Sequence, residues 1–307
     1  MKKTEVMEKL SIYEGVSKEE VRQFREVGGL LFSNDNPVTD QSLPSVVPLL
    51  GIPKNFLQKC PIDLQVSILN HFSQQLGYPS MVTKDDRVIA FAVKDSLLIS
   101  PNMVIEKIEK NTECREYDKV LVYDNIIDIY VVGETEKEVV KGDIVKGGVG
   151  VMFSPLGIVS PEITSYTYRL LCSNGLIAPE SLSRFKMGSA GDGFDSWFSE
   201  TLPRAYDIAF AQVEKFREMR NVKLNGNTPG IFRHLVEKFP LVVQNLLYEE
   251  VLREKPGNLY ELMNIITAFA SHKVENPLRM KTLMMASGGM ATHYETCPSC
   301  HRVIEGA

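Results

Sequence analysis

The stretch KVLVYDNIIDIYVV, residues 119–132, decides the fold class of this chain. Both halves are rich in valine, isoleucine and tyrosine, which favour strands, and the polar pair Asp124-Asn125 between them is typical of a hairpin turn. Similar composition continues over Asp143–Phe153 and Thr164–Cys172, which are bounded by glycine, asparagine and proline. The sequence therefore predicts a strand-rich centre from about Asp118 to Gly175.

Helical patterns lie on both sides of this centre. Upstream, apolar residues at helical spacing predict a helix over Pro61–Leu76, and downstream the longest pattern covers Phe194–Asn221, with Pro203 as a kink or break. Shorter helices are predicted over 230–239, 241–254, 259–271 and 277–286. Because the strands cluster rather than alternate with helices, we expect an α+β fold, with a central, largely antiparallel sheet flanked by N-terminal and C-terminal helices.

The N-terminal part has a weaker pattern, so residues 1–45 are expected to form a weakly structured segment. Its clearest signal is Ser17 followed by Glu20, which is typical of a helix N-terminus, with Gly28-Gly29 at the helix end. Residues 46–290 are predicted to form a single α+β domain, with a boundary near residue 225 as the alternative. Residues 291–307 are assigned to a C-terminal tail.

Glycines mark two further positions. Gly147, Gly148 and Gly150 interrupt a predicted strand, which indicates a bulge or a close approach of the backbone. The run Gly188–Gly193 precedes the long helix, where free backbone N–H groups can bind an anion. This run lacks the lysine and the serine or threonine of a phosphate-binding loop, so a plain connector is the simpler interpretation.

The composition of the 307-residue chain is that of a folded globular protein, with 44% hydrophobic and 24% charged residues. No run of about 18 apolar residues occurs, so we expect no membrane contact. The N-terminus lacks the apolar core of a signal peptide, and five cysteines, an odd number, favour a reducing compartment such as the cytoplasm. The net charge of −5 means that any nucleic-acid binding must rest on a local basic patch.

The C-terminal tail contains the string HYETCPSCH at residues 293–301. Cys297 and Cys300 have the Cys-x-x-Cys spacing that lets two thiolates bind one tetrahedral zinc ion. His293 and His301 are candidate further ligands, although His301 directly follows Cys300 and is awkwardly placed for joint ligation. The chain has no second cysteine pair of this kind, so a zinc ion shared between subunits, redox exchange and a tail without metal stay open.

No catalytic motif occurs in the sequence. It has no Gly-x-Ser-x-Gly nucleophile elbow and no carboxylate at a diagnostic spacing from a histidine. Active sites also assemble from distant positions, so the pattern leans against an enzyme without deciding the question. No residue is assigned a catalytic role.

Three stretches carry a family likeness: LGIPKNFLQKCP at 50–61, the segment 142–154 together with YRLLCSNG at 168–175, and LYELMNIITAFA at 259–270. They resemble the phage/plasmid-like protein family, a domain of unknown function, and the string Arg-Leu-x-Cys-x-Asn-Gly within 169–175 is the most specific. The resemblance implies a mobile-element origin, most often a bacteriophage, and a place in the host cytoplasm or on the virion. It brings no agreed activity.

The first functional hypothesis is an accessory protein that binds or anneals single-stranded DNA as a homo-oligomer. Such a groove needs cations for the phosphates and aromatic rings for the bases. The candidate residues are Arg169, Asn174, Arg184, Lys186, Arg204, Tyr166 and Tyr168. The alternative is a non-enzymatic phage protein that binds a host or phage protein, as a host-defence antagonist or assembly component. Arg169 and Asn174 also fit a plain strand end, with a turn and the buried Cys172.

Overall fold

The computed structural model describes residues 1–39, 42–77, 79–94, 96–123, 125–170, 174–177, 184–187, 193–224 and 241–289. Within these ranges the chain forms helices and three antiparallel sheets, which confirms the predicted α+β class. The regions outside the description include Cys172, most of the glycine run before the long helix, the helix predicted over 230–239, and the tail. Among the helices of the described ranges, none combines the length and the apolar character needed to cross a bilayer.

From the helix at residue 62 onward the elements follow the predicted order, whereas the four strands within residues 17–37 were not predicted. The strands are β1 (Ser17–Glu20), β2 (Phe24–Val27), β3 (Leu30–Ser33), β4 (Asn36–Pro37), β5 (Ser80–Lys84), β6 (Arg87–Ala92), β7 (Glu116–Tyr123), β8 (Ile126–Val140), β9 (Asp143–Phe153), β10 (Glu162–Arg169), β11 (Asn174–Ile177) and β12 (Arg184–Lys186). The helices are α1 (Lys3–Leu10), α2 (Leu43–Leu49), α3 (Lys54–Leu57), α4 (Ile62–Leu76), α5 (Pro101–Asn111), α6 (Phe194–Asn221), α7 (Leu241–Glu254), α8 (Leu259–Lys273) and α9 (Pro277–Gly288). The helices predicted at 61–76, 194–221, 241–254, 259–271 and 277–286 are confirmed, apart from one or two residues at some ends.

The central sheet is an antiparallel meander with the strand order β11-β10-β9-β8-β7. Tyr123 pairs with Ile126, and Asn125 between them has a φ of 60°, as a tight hairpin turn requires. β12 pairs with the first half of β10, while β11 pairs with its second half. The predicted strand-rich centre is therefore one continuous sheet.

Side-chain alternation along β8 divides the core of this sheet between its two faces. Ile127, Ile129 and Val131 pack with α1, α5 and the first half of α6. Tyr130 and Val132 point the other way and pack with the second half of α6 and with α7, α8 and α9. Helices therefore cover both faces of the sheet.

The long helix α6 links these two cores because its buried stripe continues along its whole length. Phe198, Leu202 and Ala205 belong to the first core, and Val213 and Phe216 belong to the second. Pro203 does not break the helix, which runs from Phe194 to Asn221 with Pro203 on its exposed side.

The N-terminal segment differs from its prediction. Ser17–Glu20 is a strand rather than a helix start, because it pairs with β5, and the Ser17 and Thr83 hydroxyls lie 2.7 Å apart. Gly28-Gly29 forms the turn between β2 and β3 instead of a helix end. The segment is also tied to the central sheet, since the Lys9 ammonium donates to the Val120 carbonyl at 2.6 Å. Tertiary pairing overrides the local helix signal here.

The glycines of β9 mark a close approach of the backbone, as predicted. A Cβ atom at Gly148 would lie 2.2 Å from the Val131 carbonyl oxygen, and one at Gly150 would lie 2.6 Å from the Thr164 hydroxyl oxygen. The register of β8 against β9 also shifts between Val132 and Glu136, opposite Gly147. The bulge expected with the glycines therefore lies in the partner strand.

Replacing Gly148 with alanine is expected to lower the free energy of unfolding by about 1–3 kcal/mol, because the added methyl group meets backbone rather than a movable side chain. Urea denaturation followed by circular dichroism measures this loss. Gly257→Ala is the matched control, since a Cβ there meets its nearest atom at an ordinary 3.5 Å. Equal losses in the two variants would contradict the close approach.

Candidate functional site

The residues predicted to bind nucleic acid separate into groups at opposite ends of β10. Arg169 and Asn174 pair where β10 leads into β11, whereas Arg184 and Lys186 lie in β12, opposite Thr164 and Glu162. The two ends of β10 are about 23 Å apart at the usual rise of a strand. The seven candidates therefore do not line one groove.

Arg169 forms an ion pair with the buried Asp143, and it also lines the groove between α7 and α8. Its Nε donates to Asp143 Oδ1 at 2.7 Å and its Nη2 donates to Oδ2 at 2.8 Å. The Tyr260 hydroxyl of α8 donates to the same Oδ2 at 2.8 Å. Burial raises the pKa of Tyr260, so this hydroxyl stays protonated as a donor. The cluster joins β9, β10 and α8, and it gives Arg169 a structural role.

The candidate tyrosines lie inside the protein or partly so. Tyr166 is buried against Tyr130, with the ring centroids 4.8 Å apart, and its hydroxyl donates to Asp118 Oδ2 at 2.5 Å. Tyr168 is half-buried and packs against the same core. The prediction that a base stacks on Tyr166 is therefore wrong, because strand alternation places the Tyr166 ring on the face that the C-terminal helices cover.

A buried ionic triad on this face escaped the sequence interpretation. The Lys281 ammonium of α9 lies 3.3 Å from Asp128 Oδ2 and 3.3 Å from Glu162 Oε1. The exposed fractions of the three side chains are 7%, 1% and 0%. The two carboxylates flank Met152 on neighbouring strands, so the register of the sheet brings them to one ammonium. The sequence signal that could have indicated the triad is Asp128, a lone carboxylate inside an apolar strand.

Further ionisable groups line the same face near β7. Burial raises the pKa of Asp118 and lowers the pKa of Lys119, so both groups are shifted toward their neutral forms. The Tyr130 hydroxyl donates to Asp128 Oδ2 at 2.8 Å, and burial raises the pKa of Tyr130. Asp118 and Asp128 thus each accept a hydrogen bond from a buried tyrosine, Tyr166 and Tyr130 respectively.

The structure offers no test of the zinc hypothesis. Cys297, Cys300, His293 and His301 all lie outside the described residues, so zinc in the tail stays a prediction. Among the residues that are described, no three histidine, cysteine, aspartate or glutamate side chains group as metal ligands would.

Two exposed cations and two half-buried aromatic rings lie where β12 meets α6. The Arg204 guanidinium lies 5.1 Å from the centre of the Phe185 ring, a cation–π contact. Lys186 follows Phe185 and is exposed, while Phe185 and Trp197 are half-buried. Trp197 precedes Arg204 by two helical turns and therefore lies on the same flank of α6. We refer to Phe185, Lys186, Trp197 and Arg204 as the sheet-edge patch.

The two cations of the patch, Lys186 and Arg204, are exposed, and β12 lies at one edge of the sheet within the described part of the chain. β12 pairs with β10 along one side, and no described strand pairs with its other side. Alternation directs Phe185 toward α6 and Lys186 toward the opposite face, so the two cations of the patch flank the sheet edge. Arg184 shares the strand, although its side chain lies outside the description. Sequence reasoning named the cations here and missed the two rings.

A groove with a cavity volume of about 450 Å³ lies between α7 and α8. Its floor includes Ile265, Ala268 and Phe269, and its charged rim includes Glu250, Arg253 and Lys273. Glu250 accepts from both Arg253 and Lys273, and these contacts lower the pKa of its carboxyl. The volume falls in the range of ligand pockets, and the floor is apolar.

Comparisons of the chain with known proteins identify no relative. The resemblance to the phage/plasmid-like family therefore stays a prediction, and any function must be argued from the described side chains. No family model, no curated protein and no solved structure matches the chain.

Proposed function

We propose that this protein binds single-stranded nucleic acid at the sheet-edge patch, as an accessory protein of a phage or another mobile element. The observation that supports the proposal most is the Arg204 guanidinium over the Phe185 ring, at a sheet edge whose opposite face carries the exposed Lys186. Arg204, Lys186 and Arg184 were named from the sequence, and they come from two elements that meet at one edge. Cations interleaved with aromatic rings are what a strand-binding surface requires.

The chemistry of the patch favours a single strand over a duplex. Unpaired bases expose ring faces that stack on Phe185 or Trp197, and each such contact is typically worth about 1–3 kcal/mol. The two cations of the patch, Lys186 and Arg204, supply two phosphate contacts. At about 0.7 per phosphate, the logarithm of the affinity should fall with the logarithm of the salt concentration with a slope of about −1.4.

Two exposed carboxylates set a limit on this affinity. Glu200 and Asp207 lie on the same part of α6, one turn before and nearly one turn after Arg204. They repel phosphates, as does the overall charge of −5. The proposal therefore predicts weak binding that improves when one of these carboxylates is neutralised.

Polarisation of a labelled oligothymidine of about 20 nucleotides, at about 50 mM salt, tests the proposal. Arg204→Glu is expected to weaken binding about tenfold or more, because it reverses a charge and removes the guanidinium from Phe185. Glu200→Gln is expected to strengthen binding about twofold. Arg220→Glu, the same change at an exposed position near the far end of α6, is the matched control.

Two results would overturn the proposal. One is the absence of binding by the wild-type protein to the labelled strand at low salt, which would favour the alternative of a protein partner. The other is an equal loss of affinity in Arg204→Glu and Arg220→Glu, since a general charge effect would then explain the binding.

A further inference from the structure

The solvent-facing side of α7 is unusually apolar. Leu241 and Val242 are both 69% exposed, Leu246 is 49% exposed and Leu252 is 51% exposed. The opposite side of the helix buries Leu247 and Val251 in the core, so α7 is apolar both toward the protein and toward solvent. A surface helix normally has one apolar face, and an exposed group of this kind marks an interaction surface.

This exposed group adjoins the groove between α7 and α8. Val242, Leu246 and Glu250 are spaced four residues apart, so they form one row along α7. Glu250 belongs to the rim of the groove, and the apolar row therefore continues the α7 wall. The surface thus presents an apolar ridge, Val242 and Leu246, next to an apolar groove floored by Ala268.

The charges around the groove are compensated within the chain. Glu250 pairs with Arg253 and Lys273, and Arg253 also pairs with Glu254 at 3.0 Å. The rim therefore offers neither a strong positive nor a strong negative field to an incoming group. The groove therefore best accommodates apolar side chains that are flanked by both positive and negative groups.

We propose that the ridge and the groove are the two halves of an interface between two copies of this chain. A ridge and a groove side by side on one surface are self-complementary under a two-fold rotation, so Val242 and Leu246 of each copy pack into the groove of the other. A second copy brings the same mixture of Glu249, Glu250, Arg253 and Lys273 to the rim, which matches a compensated rim better than a strongly charged partner does. Val242 and Leu246, which are 69% and 49% exposed, supply the apolar centre of this interface.

The proposed interface and the proposed nucleic-acid site share no residues, and the two kinds of binding should respond differently to salt. Each copy has a net charge of −5, so added salt screens repulsion between copies and strengthens the dimer or leaves it unchanged. Binding of nucleic acid weakens with salt. A failure of one proposal leaves the other standing.

Sedimentation equilibrium of the full chain, free of nucleic acid and at up to about 100 µM, tests the interface. The wild-type protein is expected to be a dimer, and Leu246→Glu is expected to weaken the dimer at least about tenfold, because the carboxylate loses its hydration in the groove. Ala268→Lys, which places a charge in the groove, is expected to weaken the dimer to a similar extent. Leu30→Glu is the control, since Leu30 is 61% exposed on the β2–β3 hairpin.

Mixing the two interface variants gives the most specific test of the interface. Leu246→Glu and Ala268→Lys are each expected to be monomeric alone and to form a mixed dimer, because the new carboxylate then meets the new ammonium. A wild-type protein that stays monomeric at about 100 µM would overturn the proposal, as would a Leu246→Glu variant that associates as strongly as Leu30→Glu. Circular dichroism confirms that each variant is folded.

Discussion

Replacing Lys281 with methionine is expected to lower the free energy of unfolding by about 3–5 kcal/mol. Lysine and methionine have similar length, so the variant mainly removes the ammonium that Asp128 and Glu162 share at 3.3 Å. Asp128 is buried, and its Oδ1 already has no hydrogen-bond partner. Losing the cation leaves that buried carboxylate without its countercharge. Urea denaturation at neutral pH measures the loss.

Two variants make the Lys281 prediction specific. Asp128→Asn combined with Lys281→Met should recover part of the loss, because it removes one of the two buried carboxylate charges that have lost the ammonium. Lys146→Met is the control, since its pair with Glu116 at 2.9 Å is largely exposed on the carboxylate side and contributes up to about 1 kcal/mol. A loss in Lys281→Met no larger than that of the control would contradict a buried triad.

Replacing Arg169 with methionine should also cost about 3–5 kcal/mol of unfolding free energy. The guanidinium donates twice to Asp143, a buried carboxylate whose other partner is the neutral Tyr260 hydroxyl. Arg169→Lys keeps the charge but loses the two-point contact, so we expect a smaller loss. Thermal or urea unfolding of the three proteins gives the comparison.

The Arg169 result separates a structural role from a binding role. Arg25→Met is the control, because Arg25 pairs with Asp35 on an open surface and such pairs contribute little. If Arg169→Met unfolded at the same denaturant concentration as Arg25→Met but lost affinity for nucleic acid, Arg169 would be a ligand residue. We expect the reverse: lower stability, with unchanged binding in the folded fraction.

Much of the fold follows from local patterns. The strands around the Asp124-Asn125 turn and the helix Phe194–Asn221 were predicted because apolar periodicity is a property of neighbouring residues. Ser17–Glu20 was predicted wrongly because its strand conformation depends on β5, which lies far along the chain. A local capping signal carries no information about such a partner.

The candidate site was harder to predict for the same reason. The cations Lys186 and Arg204 could be named from residue type, yet only the tertiary structure brings Arg204 over Phe185. The burial of Tyr166 depends on which face the C-terminal helices cover, and the triad of Lys281 joins three elements that are distant in sequence. Residue type suggested the chemistry, and packing decided which side chains are available for it.

The emission of Trp197 tests the central claim most directly, because the chain has a single tryptophan and that residue lies in the sheet-edge patch. Titration with an oligothymidine of about 20 nucleotides should quench this emission to saturation as bases stack nearby, and the affinity should have a salt slope of about −1.4. The quenching should be largely lost in Arg204→Glu and retained in Arg220→Glu. Unchanged Trp197 emission under conditions where polarisation shows binding would contradict the account, since the strand would then lie elsewhere on the protein.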